Sequence, residues 1–124
     1  MASRRMFAEI IIRSDAFLRL PASTRCLYFD LMMETDDDGF INNPEMVIRI
    51  SNAKKSDLTR LITTGFVYRI NKGLVLIKHF KTQNSIQPSR KKQSKFAKYL
   101  KRYQLDDVNA YQLIKQKGLL ENEK

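Results

Sequence analysis

A mixed α+β fold, mostly helical, is predicted by three observations in residues 43–80. The first is a helix start at Asn43-Pro44. Asn is a good N-cap, and Pro suits the first helical position, where its missing N–H would be unpaired anyway. Met46, Val47 and Ile50 give this helix an apolar side. The second is a further repeat, Leu58, Leu61 and Ile62 at i, i+3 and i+4, reached through the short turn Ser51-Asn52-Ala53 and stopped by Gly65. The third is a pair of apolar runs, Val67-Tyr68-Arg69-Ile70 and Leu74-Val75-Leu76-Ile77, around the loop Asn71-Lys72-Gly73, with glycine where positive φ is wanted. Two helices across a tight turn, followed by a hairpin, is the plan of a winged helix-turn-helix with a two-stranded wing.

The flanks complete this plan. Residues 6–12 are apolar and β-branched at their end, and predict a short strand or entry segment. Ser14-Asp15 caps a turn through Ala16-Phe17-Leu18. Pro21 starts a helix that carries Leu27 and Leu31, with Tyr28 and Met32 at i, i+4, and ends near Glu34. Its aromatics, Tyr28 and Phe29, are expected in the core. Residues 35–42 form a carboxylate-rich loop. Residues 81–89, with Gln, Asn, Ser and Pro88, read as a linker. In residues 90–103 the apolar Phe96, Leu100 and Tyr103 recur at i, i+4, i+7 among cations, which predicts a basic amphipathic helix. Asp106-Asp107 would cap a last short helix carrying Val108, Tyr111 and Leu113-Ile114, stopped by Gly118. The expected division is therefore a winged-helix domain over 1–80, a linker over 81–89 and a basic helical extension over 90–124.

Bulk properties bound the function. A chain of 124 residues with 43% hydrophobic content suits one ordinary globular core. The net charge of +10 is unevenly placed. Residues 1–80 hold 12 Lys/Arg against 9 Asp/Glu, and residues 81–124 hold 11 against 4. A mildly charged body with a basic extension points to a polyanion, of which nucleic acid is the commonest. Cys26 is the one cysteine, so a disulfide framework or thiol-based zinc site is not expected, and it reads as a small core residue. The sequence presents neither a signal-peptide pattern nor an apolar run of the roughly 20 residues needed to cross a bilayer, and the cytoplasm of a host cell is the expected location.

Residues 34–45 can be laid on a twelve-residue EF-hand loop, with carboxylates at positions 1, 3, 5 and 12 and Gly39 at position 6. Glu34 is too long for position 1, however, and Pro44 fits a helix start better than a calcium loop. The aspartates are read instead as solvating a tight turn in which Gly39 supplies positive φ, and neither metal nor cofactor is expected. On the second helix of the pair, Lys54, Lys55, Ser56, Thr59, Arg60 and Thr63 face away from the apolar side. These can bond phosphates or base edges in a major groove, which admits one helix. Arg69, Asn71, Lys72 and Lys78 on the hairpin would touch backbone or minor groove. Arg90, Lys91, Lys92, Lys95, Lys98, Lys101 and Arg102 would grip phosphates. If about five cations neutralise phosphates, log affinity should fall with log salt at a slope of roughly −4 to −5. The narrow apolar face argues against membrane binding. His79, the single histidine, reads as structural, and the sequence offers neither a paired nucleophile and base nor a glycine-rich phosphate loop, so an enzyme is not expected.

Met6-Phe7, Ser14-Asp15-Ala16-Phe17-Leu18, Leu27-Tyr28-Phe29, Asp36-Asp37-Asp38-Gly39-Phe40 and Asn43-Pro44 resemble the N-terminal domain of phage replisome-organiser proteins from Gram-positive hosts, whose relatives include the DnaD-like primosome proteins. The likeness continues through Asp57-Leu58, Leu61-Ile62, Gly65-Phe66-Val67, Gly73-Leu74-Val75 and Ile77-Lys78-His79-Phe80, and covers roughly residues 4 to 86. It implies a winged helix that binds duplex origin DNA and helps recruit host replication proteins. Lys54 departs from it, standing where a capping Ser or Thr is expected, and the basic extension stands where a larger C-terminal domain is often found. Two other readings remain open: an interaction protein whose winged helix binds or inhibits a host helicase loader or defence nuclease, and a transcriptional regulator of the same fold acting as a dimer on a palindromic operator.

Overall fold

A computed structural model describes residues 4–114 of the chain. It is an α+β fold of helices and a small antiparallel sheet. Helices α1 (Glu9–Ile12), α2 (Asp15–Leu18) and α3 (Ala22–Met33) come first, then strand β1 (Phe40–Asn42). Next are α4 (Pro44–Ser51), α5 (Lys55–Thr63) and the hairpin β2 (Val67–Asn71) and β3 (Leu74–Ile77). After α6 (Phe80–Gln83) the chain is irregular up to a 3-10 helix (Ala97–Arg102) and a second hairpin, β4 (Tyr103–Leu105) and β5 (Tyr111–Leu113). Helix α3 packs against both α4 and α5. Strand β3 is central in a sheet of order β1-β3-β2, with Phe40 opposite Leu76 and Tyr68 opposite Leu76 on the other side.

Helices α2 and α3 form where the caps and the apolar spacing predict. In α2 the Ser14 hydroxyl accepts from Phe17 N–H, an N-cap bond worth about 1 kcal/mol. Helix α3 buries Leu27, Tyr28, Leu31 and Met32, and C-caps at Glu34. Edge-to-face rings lock it to its neighbours: Phe17 lies 5.1 Å from Tyr28 and 5.5 Å from Phe66. Such pairs add about 0.5–1.5 kcal/mol each beyond area burial.

Several elements differ from the sequence-based expectation. Residues 9–12 are a helical turn rather than a strand, because a strand there would lack a sheet partner. The preceding extended residues are held instead by side-chain amides: Met6 N–H donates to Asn84 Oδ1 and Ala8 N–H to Gln83 Oε1. Strand β1, unpredicted, joins the hairpin through its register with β3. Asn43 does not cap α4 with its side chain. It takes φ +73° and ends β1 by donating its N–H to Gly73 O. On α4 Val47 and Ile48 are buried, while Met46 and Ile50 are exposed. Gly73 does not take positive φ. The hairpin closes through an irregularity between Arg69 and Asn71, with the Asn71 side chain accepting from Gly73 N–H at 3.0 Å. Cys26 is exposed, on the side of α3 away from its buried stripe.

The largest departure follows residue 80. The expected linker begins as α6, whose Gln83 is buried and donates to the Tyr28 hydroxyl at 2.9 Å. The expected amphipathic helix over 90–103 is replaced by an irregular strap, the 3-10 helix and β4. In a helix its cations would stand at i, i+3 and i+4 from one another and repel. The strap instead bonds a distant acidic turn. Phe96, Tyr99, Leu100 and Tyr103 still pack on the core, now across the outer side of the sheet. Phe40 and Phe96 ring centroids are 5.9 Å apart, and those of Tyr68 and Tyr103 4.9 Å. This covering explains why all four β3 residues are buried. The expected last helix is the β4–β5 hairpin, in which the Asp106 carboxylate accepts from Val108 N–H, Ala110 N–H and the Gln112 amide. Gly118 lies outside the described residues.

Candidate nucleic-acid interface

Helix α5 is oriented by its buried side. Leu58 and Leu61 enter the core, and Asp57 fixes the helix start. Lysine at the N-cap has no acceptor of its own, so half of a capping box forms: Lys54 N–H donates to Asp57 Oδ2 at 2.9 Å. The other Asp57 oxygen accepts from Thr24 Oγ1 at 2.7 Å and Ser23 Oγ at 2.9 Å, both on α3. Burial pushes the Asp57 carboxyl up, and these hydrogen bonds together outweigh it and hold the group below its ordinary range. The α5 start is therefore clamped to α3 by a residue that sequence reasoning did not single out. An acid at the third helical position after Lys54 was the available signal.

All six residues expected to face DNA on this helix, Lys54, Lys55, Ser56, Thr59, Arg60 and Thr63, are exposed. Lys54 and Arg60 make no ion pair among the described residues. Lys55 meets Glu45 at 3.7 Å, an exposed pair worth little. Thr59 and Thr63 turn their hydroxyls back to helix carbonyls. On the hairpin, Arg69, Asn71 and Lys72 are exposed and Lys78 is half-buried.

The basic segment divides into two groups. Lys91 is committed: its Nζ lies 2.6 Å from Asp38 Oδ1, where Lys81 also approaches to 3.6 Å. Lys98 and Arg102 lie over the Tyr99 ring, with Lys98 Nζ 5.2 Å and Arg102 Cζ 5.0 Å from its centroid. Arg90, Lys92, Lys95 and Lys101 are exposed and carry no ion pair among the described residues.

The carboxylates of residues 36–38 do not form a solvated turn. Asp36 Oδ1 accepts from Asp38 and Phe40 N–H, and its Oδ2 accepts from Ser94 Oγ. Asp37 Oδ2 accepts from Lys92 N–H at 2.9 Å, the main reason its carboxyl titrates below the ordinary range, with Arg5 adding to the effect. Asp38 is buried, and the Tyr111 hydroxyl donates to its carbonyl at 2.7 Å. Arg5, its side chain only 4% exposed, donates to Thr35, Asp36 and Asp37 and lies over the Phe80 ring. The turn is thus the anchor of both chain flanks. His79 is half-buried with Nδ1 unpartnered, and burial, then the Lys78 charge, lower its pKa. Its ring packs against Phe66, 6.2 Å away between centroids.

Comparison with protein-family models, curated proteins and solved structures finds no match to this chain. No helix among the described residues is long and apolar enough to cross a membrane.

Proposed function

We propose that the chain is a winged helix-turn-helix protein that binds duplex DNA, of the replisome-organiser type encoded by phages or prophages. The observation that carries the reading is the start and outer face of α5: six exposed polar or cationic side chains, with Lys54 and Arg60 in no ion pair among the described residues, on a helix clamped through Asp57. The element order α3–β1–α4–α5–β2–β3 with the sheet order β1-β3-β2 supports the winged-helix assignment. Helix α5 would lie in the major groove, and Arg69, Asn71 and Lys72 at the hairpin tip would meet the sugar-phosphate backbone. The free cations of the strap would add sequence-independent attraction.

Fluorescence anisotropy on a labelled duplex, across a salt series, tests this. The double variant Lys55→Gln, Arg60→Gln should bind at least about tenfold more weakly, or about 1.4 kcal/mol. Unchanged affinity would remove α5 from the interface. A second reading, binding to a host helicase loader or defence protein, is favoured by Met46 and Ile50, exposed to 46% and 59% on α4. Capture of a defined host protein that survives nuclease treatment and is lost in Ile50→Lys would support it.

A further inference from the structure

Between the acidic turn, the edge strand β1 and the strap lies an open groove of about 630 Å³. None of its lining residues belongs to α5 or to the β2–β3 loop. Arg90, Lys92 and Lys95 form its cationic rim, and none of the three is in an ion pair among the described residues. Glu34 borders it at the end of α3, half-buried; the carboxylates of Asp36 and Asp37 border it too, but their oxygens are turned into N–H and hydroxyl donors and into Arg5. They orient the rim instead of cancelling it: the Lys92 backbone is tied to Asp37 while the Lys92 side chain stays exposed.

The wall of the groove is apolar where Phe96 and Ile86 stand half-exposed, and Asn42 and Gln93 add two side-chain amides able to donate and accept. A cationic rim beside an aromatic wall is the chemistry that holds a phosphate and stacks a base. The volume lies within the range of small-ligand sites, roughly 300–1,000 Å³. An extended peptide is the poorer occupant. The outward N–H and C=O of Phe40 are already taken by Asp36, and β1 is only three residues long, so its edge cannot template a further strand.

We propose that this groove binds a nucleotide unit, with its phosphate on Arg90, Lys92 and Lys95 and its base against Phe96 and Ile86. A single strand and a free nucleotide share this chemistry. The site is additional to the α5 face and shares with duplex binding only the cations of the strap.

The test uses the full chain and fluorescein-labelled oligothymidine at low salt, with a labelled duplex measured in parallel. The variant Lys92→Gln, Lys95→Gln changes exposed side chains only, and its melting temperature should match that of the parent. It should lose about tenfold in single-strand affinity and no more than about threefold in duplex affinity, because the groove holds the single strand directly whereas the strap cations give the duplex only general attraction. The variant Lys55→Gln, Arg60→Gln should leave single-strand binding intact, so that failure of the duplex reading and failure of this one are distinguishable. Competition by millimolar ATP would assign the groove to free nucleotides, and competition by oligothymidine alone would assign it to a strand; either supports the site. Equal binding of an abasic strand, equal competition by polyglutamate, parallel losses for both nucleic acids in the strap variant, or absence of single-strand binding would each overturn it.

Discussion

Gly39 is the most constrained single residue. Its φ is +99°, and a Cβ built there would meet Phe80 Cβ at 2.6 Å. Gly39→Ala combines a left-handed penalty with overpacking against a buried ring, and should cost about 2–5 kcal/mol. Urea unfolding at neutral pH measures it, and a loss under about 1 kcal/mol would mean that the turn relaxes freely. Like Asp37, Asp57 contributes to the acid limb of stability. Its folded-state pKa is below the ordinary 3.8, so its contribution is present above that value and is lost as pH falls through the folded value. Asp57→Asn should cost about 1–3 kcal/mol at pH 7, and its deficit relative to the parent should shrink below about pH 4. A deficit that does not change with pH would show that the carboxylate charge is irrelevant.

At the scale of the element, the acidic turn resembles a metal loop in sequence and acts as an anchor in structure. Its carboxylates are consumed by Ser94, the Lys92 N–H, Arg5 and Lys91. Calcium at about millimolar concentration, where weak extracellular modules bind, should therefore leave the melting temperature unchanged. A rise of several degrees would mean that the ion displaces these contacts. The strap teaches the complementary point. Its apolar residues do bury, as the i, i+4, i+7 spacing implied, but a 3-10 helix and a strand deliver them because the preceding residues are drawn to the turn by Asp36–Asp38.

Across the whole molecule, the segment after residue 80 is a layer of the fold. Tyr111 belongs to the core cluster, and Phe96, Tyr99, Leu100 and Tyr103 pack on it. The Tyr68 hydroxyl donates to Tyr111 O at 2.8 Å, and Tyr111 N–H donates to Lys78 O at 2.9 Å. A chain ending at residue 80 would bare the outer side of the sheet and orphan Asp38. It should melt without cooperativity and bind a hydrophobic dye that the full chain does not bind. A sharp melt within a few degrees of the full chain would show that residues 1–80 fold independently.

The residues alone determined the successive helices α4 and α5, the β2–β3 hairpin and the exposed face of α5. Each depends on contacts within about ten residues, where periodicity and turn chemistry report directly. The unbroken apolar run Leu74–Ile77 is also that of a strand covered on both faces. What covers it, what binds the three aspartates and where Arg5 inserts were decided only by tertiary structure. Lys91 and Asp38 are 53 positions apart, and Arg5 and Asp37 are 32 apart. Local pattern shows that such charges exist, whereas their pairing depends on where the folded core places them.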